Sequence, residues 1–437
     1  MEPRSSSETS LKRRREVGHV RVRSDITPRS AVVVGAGVVG LSTAWFLQDR
    51  GVHVTVVDRD EVGSGSSWGN AGWVSPGLSL PLTSPHVLGE GLRGLFNPRA
   101  PLSVPARPDP RLWTFLLRFA AHCTTRHWRR ALEAYLPLLV QSLPAYDTLS
   151  AENVDVGDVE SSIVAGFSNP HAAANFRREL ALVEAVGVPV SSAELGHAEL
   201  HAARPQLSER VTAGIRVDGQ RFLDPAQFVD QLAQAVVRRG ATIRPRMTVS
   251  SLRHDRGHVI VSADQGPPVR ADVAVLATGA HLSDLTRRRG VRIPVRAGRG
   301  YSFTVPTDAP VPGPIYLPDA RVACTPHEGG LRVAGTMEFR AADRPADVTR
   351  AGAIVASVRD LLAGVRWDER SSPWVGARPV TSDALPLMGA TRQPGVYVAG
   401  GHGMWGVTLG PVTGRLLAEQ IITGKQPPEL LPFDPLR

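Results

Sequence analysis

The run AVVVGAGVVG, residues 31–40, joins a β-branched segment to Gly35, Gly37 and Gly40 in the spacing G-x-G-x-x-G. The next residues, LSTAWFLQDRG (41–51), carry apolar side chains at helical spacing and stop at Gly51. VHVTVVD (52–58) reads as a second strand and ends on Asp58, 18 residues after Gly40 (58 − 40). Strand, glycine turn, helix, strand and acid, in that register, form a unit that binds a dinucleotide. Gly35 permits the tight turn and Gly37 lets a pyrophosphate approach the backbone. Gly40 lets helix and strand pack closely. Val38 and Val39 open the helix, whose positive end faces the phosphates. Asp58 stands where a carboxylate meets a ribose hydroxyl. A purely structural turn is the competing reading. The triplet alone does not separate nicotinamide from flavin.

The 437 residues are 42% hydrophobic and 21% charged, a globular composition with room for two domains. No apolar run reaches the roughly 18 residues that a spanning helix needs. The N-terminus, MEPRSSSETSLKRRRE, lacks the apolar centre of a signal peptide. With only Cys123 and Cys324, neither a disulfide framework nor a cysteine-rich metal site is expected, and the expected compartment is the cytoplasm. The histidines are scattered, with no cysteine pair near them, so no metal site is expected. Residues 1–30 hold eight basic and four acidic side chains, 8 − 4 = +4 of the net +9. The remaining +5 suits an anionic substrate, an anionic cofactor or a lipid surface, and no nucleic-acid partner is expected. Residues 1–29 read as a disordered basic tail. Lys12 and Lys425 are the only lysines, so the core has none. That excludes Schiff-base and pyridoxal-phosphate chemistry and the lysine-bearing phosphate loop.

Residues 62–110, rich in Gly, Ser and Pro, read as a long irregular connection, which inside a domain is usually functional. Residues 111–150 and 170–200 carry helical patterns. DPAQFVDQLAQAVVRRG (224–240) has an Asp cap and a proline at the first helical position. Short strands follow to ADVAVLATGAHL (271–282). Period-two alternation over 291–340 marks an antiparallel sheet, and a helix lies near 347–363.

Four further stretches carry a family resemblance: GSGSSWGNAGWVSPG (63–77), GRGYSF (298–303), WVGARPVTSDALPLMG (374–389) and GHGMWGVTLGPVTGRLL (401–417). Together with the first motif they resemble the FAD-dependent D-amino acid oxidase and dehydrogenase superfamily, over about residues 30–425. They are most similar to bacterial D-amino acid dehydrogenases and hydroxyproline-handling relatives. The resemblance implies an α/β fold. A discontinuous Rossmann-like FAD-binding domain (30–80, 223–288, 373–425) would join a mixed or antiparallel-sheet substrate cap (81–222, 289–372), with 426–437 a C-terminal tail. It implies non-covalent FAD, since neither cysteine lies in the matching motifs. Ser66 and Ser67 would contact ribityl or phosphate, and Asn70, Ala71 and Gly72 would run along the ring. Val249 and Gly279 would join the cofactor set. Trp73 stands where the family often has Gln. Gly403, Gly406, Val407 and Thr408 would approach the pyrimidine end of the flavin. Thr408 would cap a helix with Pro411 in its first turn, and its partial charge would favour reduced flavin.

Oxidising an amino acid at Cα needs a held carboxylate, a neutral amine and a Cα–H aimed at the flavin. Arg378, in GARP, matches the arginine that holds the carboxylate in similar enzymes, a task suited to its bidentate fork. A surface ion pair is the alternative. Tyr301 matches a tyrosine on the substrate side, with a satisfied core tyrosine as the alternative. His402 would contact ring or substrate, or serve as a spacer. The expected function is oxidative deamination of a D-amino acid. The alternatives are oxidation of glycine, sarcosine or hydroxy-D-proline, and a flavin-bearing subunit of a larger complex. The electron acceptor is expected to be a quinone or an electron-transfer partner. The helix pattern RLWTFLLRFAAHCTTRHWRR (111–130) is either a peripheral membrane contact or an ordinary basic helix face.

Overall fold

The computed structural model describes residues 27–96, 100–104 and 109–437. The tail expected over 1–29 therefore lies almost wholly outside the described residues. The chain begins with strand β1 (Ser30–Val34), helix α1 (Val38–Asp49) and strand β2 (His53–Val57). β1 and β2 pair in parallel, from Ser30 with His53 to Val34 with Val57. On its other edge β1 pairs in parallel with Val273–Leu276. Strands Val396–Gly400, Leu387–Ala390 and Thr242–Arg244 complete a six-stranded sheet. Only the pair 387–390 with 396–400 is antiparallel.

β1 is apolar on both faces because both are covered. Ala31 and Val33 pack with α1, while Val32 and Val34 pack with the three-stranded meander 249–271 on the other side. The helix Gly406–Thr423 lies along α1. A Cβ at Gly414 would stand 2.6 Å from the carbonyl carbon of Ser42 and 2.7 Å from the amide of Thr43. Gly414 therefore sets the closeness of the two helices. Leu41, Trp45 and Leu47, each fully buried, contribute about 1.5–3 kcal/mol apiece.

A second, larger sheet has ten strands. Its main path runs 371–381, 295–306, 330–339, 322–327, 315–317, 159–167, 213–222 and 73–74. Leu102–Ser103 and Ser191–Leu195 pair at its sides. It is mostly antiparallel, as the alternation over 291–340 predicts.

Several sequence expectations need correction. The stretch 62–110 is not wholly irregular: it holds the helix Pro85–Phe96 and two short strands. Residues 111–150 form two helices, Pro110–His122 and Thr125–Ala151, because Thr124 caps the second by accepting from the His127 amide at 3.2 Å. Between 170 and 203 a strand separates two helices. The boundaries at 80 and 373 are displaced, since Trp73–Val74 and Ser371–Thr381 belong to the large sheet. Residues 426–437 are no loose tail. Leu430 and Phe433 are fully buried, and the Arg437 guanidinium pairs with Asp383 at 2.8 Å.

Candidate active site

Residues of both sheets converge on one cleft of about 380 Å³. Its first wall is the β1–α1 turn. Gly35 has φ +117°, and a Cβ there would lie 2.3 Å from the Ala277 carbonyl oxygen. A Cβ at Gly40 would lie 1.9 Å from the Gly35 oxygen. These two glycines are demanded by the protein itself. Gly37 differs: its Cβ would meet only the Ser67 hydroxyl, at 3.2 Å, and its open side is the cleft. Val38 and Val39 line the cleft beside it, and the Val38 amide donates to Ser67 Oγ at 3.1 Å. Asp58 accepts from the amides of Ala36 (2.6 Å) and Asp60 (3.0 Å). Burial raises its pKa above the usual carboxylate value.

Ser66, Ser67, Asn70, Val249 and Gly279 line the cleft. Ala71 and Gly72 do not. The Ala71 carbonyl accepts from Thr325 Oγ1 at 2.6 Å, and that hydroxyl accepts from Trp73 Nε1 at 2.9 Å. Gly72, at φ +80°, would press a Cβ to 2.1 Å from the Leu223 carbonyl oxygen. Their backbone ties the loop to the large sheet instead.

The C-terminal loop joins the first wall to the one that carries Arg378. Gly401 (φ +77°) and Gly403 (φ +57°) turn the chain on either side of His402. Gly403 donates its amide to the Pro379 carbonyl at 2.9 Å, fixing the loop to the strand that carries Arg378. His402 is buried, with Nε2 3.0 Å from Thr413 Oγ1. The Thr413 hydroxyl donates to Met388 Sδ at 3.2 Å, so the histidine Nε2–H is the donor and Nδ1 keeps its lone pair. Nδ1 is buried without a partner. Desolvation pulls the pKa of His402 down to about 4, so the ring is neutral at pH 7.

The helix that follows starts at Gly406, earlier than expected, with Trp405 as N-cap. Thr408 is therefore no cap and does not line the cleft. Its hydroxyl donates to the Trp73 carbonyl at 3.1 Å and accepts from the Ser75 amide at 3.3 Å. Pro411 lies inside the helix and leaves the Val407 carbonyl without its amide partner. Tyr146 fills that role, its hydroxyl donating to Val407 O at 2.7 Å. Gly403, Gly406 and Val407 stay at the cleft.

Arg378 reaches the cleft from the strand Ser371–Thr381. Its guanidinium lies across Gly300 of the neighbouring strand. A Cβ at Gly300 would stand 2.2 Å from the guanidinium carbon. Arg378 Nη1 donates to the Thr336 carbonyl at 2.9 Å. Thr336 sits at φ +57°, where the pairing of 295–306 with 330–339 slips. Such a conformation costs about 1–3 kcal/mol for a β-branched residue, and here it aims a carbonyl at Arg378. No carboxylate among the described residues pairs with this guanidinium. It keeps partial access to water through the open cleft, while the protein around it lowers its pKa to about 10 by desolvation. It remains a cation at neutral pH.

Tyr301 does not line the cleft. Side chains alternate along the strand Val295–Pro306, and Tyr301 shares a face with Arg299. Its hydroxyl donates to Glu338 Oε1 at 2.6 Å and accepts from the Asp347 amide at 3.2 Å. The cleft side carries Gly300 and Ser302, whose hydroxyl donates to the Gly69 carbonyl at 2.8 Å. Sequence reading missed Gly300, Thr336 and Thr278. Thr278 lines the cleft with a buried, unpartnered hydroxyl, and its place in the ATG strand end was the only signal.

The cleft has the features a flavin dinucleotide requires. One helix N-terminus is bare of side chain at Gly37, a carboxylate ends β2, and Thr278 Oγ1 and His402 Nδ1 are left without protein partners. Cys123 and Cys324 are buried away from it, and burial pushes their thiols up to about 11 and about 12.

A glycine-turn dinucleotide fold with such a cleft defines a class, and residues 30–420 match the model of one family, described as FAD dependent oxidoreductase. The chain belongs to that family and is an FAD-dependent oxidoreductase of α/β fold. It is 32% identical over 406 residues to a D-amino acid dehydrogenase of Methylobacterium radiotolerans, covering 91% of this chain and 96% of the relative. It is 30% identical over 403 residues to a D-amino acid dehydrogenase of Xanthobacter autotrophicus, with the same coverage. Among solved structures it is similar to glycine oxidase from Geobacillus kaustophilus. That likeness has a TM-score of 0.74 and 22% identity, over 94% of this chain and 98% of that one, and it concerns the fold. No helix among the described residues is long and apolar enough to cross a membrane.

Proposed function

We propose that the cleft holds one FAD non-covalently and that the chain oxidises a D-amino acid at Cα. Hydrolysis of the imine then gives a 2-oxo acid and ammonia. Arg378 carries this reading: a guanidinium at the cleft, without a carboxylate partner among the described residues, suits a substrate carboxylate. The names of the relatives at 30–32% identity support D-amino acids as the class. Bound FAD supplies the acceptor for the hydride that leaves Cα.

Gly35, Gly37, Val38 and Val39 take the pyrophosphate, and Asp58 takes a ribose hydroxyl. Ser66, Ser67 and Asn70 border the ribityl chain and ring, and Val249 and Gly279 join the cofactor set. Gly403, Gly406 and Val407 present a helix N-terminus to the pyrimidine end. Gly40, Ala71, Gly72 and Thr408 support these groups from behind. Neutral His402 offers an acceptor nitrogen at Nδ1.

The six-stranded sheet carries the cofactor and the ten-stranded sheet carries the substrate. A quinone or an electron-transfer partner takes the electrons. The exposed Trp113 and Leu117 beside Arg111 and Arg118 support contact with an acidic lipid surface.

Anaerobic bleaching of the flavin by D- and L-amino acids, glycine, sarcosine and hydroxy-D-proline tests the reading. D-amino acids should bleach it. Bleaching by glycine or secondary amines alone overturns the substrate class, and no bleaching by any points to a flavin-bearing subunit. Arg378→Ala should lower kcat/KM about 30-fold or more for an amino acid, and less for its amide. Arg378→Lys should keep the flavin but not the fork. Equal losses for acid and amide would remove Arg378 from the carboxylate.

A further inference from the structure

Outside the cleft, one cluster of side chains has the chemistry of a ligand set. The short helix His197–Ala203 carries His197 and His201 one turn apart on the same face. Their ring centroids are 4.4 Å apart. Glu209 returns on the segment after the helix and places Oε2 3.1 Å from His197 Nε2. The donor atoms of all three residues lie within 4.8 Å of one another.

The state of His201 gives the cluster a direction. Its Nδ1 is 3.1 Å from the Leu207 carbonyl, which can only accept, so Nδ1 bears the proton and Nε2 the lone pair. Nε2 is buried and has no partner. A buried imidazole nitrogen left unpaired is costly. A backbone carbonyl that fixes the tautomer while the other nitrogen is free is the arrangement found behind metal-bound histidines. His197 and Glu209 are exposed, so an ion can enter from solvent. The amides at the helix start, which disfavour a cation, are offset by Glu199, whose Oε2 accepts from the Gly196 amide at 2.9 Å.

We propose that His197, His201 and Glu209 form a three-ligand site for a borderline divalent cation, best suited to Zn²⁺. Two imidazoles and one carboxylate select zinc and its transition-metal neighbours over calcium or magnesium, which prefer oxygen sets. Tetrahedral bonds of about 2.0–2.2 Å place donor atoms about 3.3–3.5 Å apart, so small rotations of the exposed side chains close the site. Without the ion, His197 Nε2–H donates to Glu209. On binding, that proton moves to Nδ1 and frees Nε2 as a ligand. Water completes the fourth position. The ion ties the helix to the segment that enters the strand Ala213–Phe222, against which Leu200 already packs at Gly214. None of the three residues lines the cleft, so the site is structural.

Co²⁺ serves as the probe, titrated into the chelator-treated holoenzyme. One equivalent should bind, with tetrahedral visible bands beyond the flavin absorption, and Zn²⁺ should displace it. His201→Ala and His197→Ala should abolish those bands, and Glu209→Gln should weaken binding at least about 10-fold. The exposed His197 and Glu209 make their variants informative even if His201→Ala fails to fold. Wild type that binds no Co²⁺, or His197→Ala that keeps the same stoichiometry and spectrum, overturns the proposal.

Discussion

The two walls of the cleft are assembled in different ways. The dinucleotide wall comes from one contiguous unit, residues 30–58, whose glycines, helix start and acid are close in sequence. The wall around Arg378 comes from three strands: 371–381 supplies the guanidinium, 295–306 the missing Cβ of Gly300, and 330–339 the Thr336 carbonyl. A contiguous unit can be rebuilt from spacing alone. A wall of three distant strands depends on register, and a single slipped residue changes which side chain faces the cleft.

His402 lies where the walls meet, and its burial predicts the largest effect. Its pKa is about 4 in the folded chain, against 6.5 in the unfolded one. Between those values the unfolded chain binds the extra proton, so stability is fully present above pH 6.5 and is lost as pH falls towards 4. The loss is on the order of 3 kcal/mol. Urea unfolding of wild type and His402→Asn across this window should show wild type losing that amount relative to the variant. Asp58 is common to both and cancels. Parallel curves would mean that His402 charges freely in the fold.

Gly37→Val probes the contiguous wall. The protein itself meets a Cβ there only at the Ser67 hydroxyl, so the fold should survive while FAD affinity falls about 100-fold. The ratio of flavin to protein absorbance after desalting reads it. A variant that keeps its flavin would place the pyrophosphate elsewhere. Gly300→Ala probes the assembled wall. Its Cβ collides with the Arg378 guanidinium, so kcat/KM should fall about 10-fold with FAD retained. Added to Arg378→Ala it should cost nothing further, because both act on one group. Additive losses would separate the two residues.

These differences explain what was legible in the sequence. Gly35, Gly37, Gly40 and Asp58 could be read because the helix and strand between them have fixed lengths. Arg378 could be reached only through family resemblance. Tyr301 stayed open between substrate side and core because period two says that residues alternate but not which face is inward, and the slip at Thr336 lies on another strand. The C-terminal glycines looked like one feature and are two. Gly401 and Gly403 turn the loop, while Gly410 and Gly414 face Val38, Ser42 and Thr43 of α1. The His197, His201 and Glu209 cluster escaped because the third member joins only through the fold.

The smallest predicted effect concerns the helix that supports both walls. Pro411 lacks the amide that would bond the Val407 carbonyl, and Tyr146 donates to that carbonyl from the helix Thr125–Ala151. Tyr146 is fully buried, so no water replaces its hydroxyl. Tyr146→Phe keeps the ring that packs against Phe228 and removes only the donor. A buried carbonyl left unpaired costs about 1–3 kcal/mol, and a loss at the low end of that range is expected. Because Val407 lines the cleft, the released carbonyl should also weaken FAD retention slightly, by about 2–5-fold. Urea midpoints with and without FAD separate the two effects. Equal midpoints for wild type and variant, in both states, would show that the helix tolerates Pro411 without Tyr146.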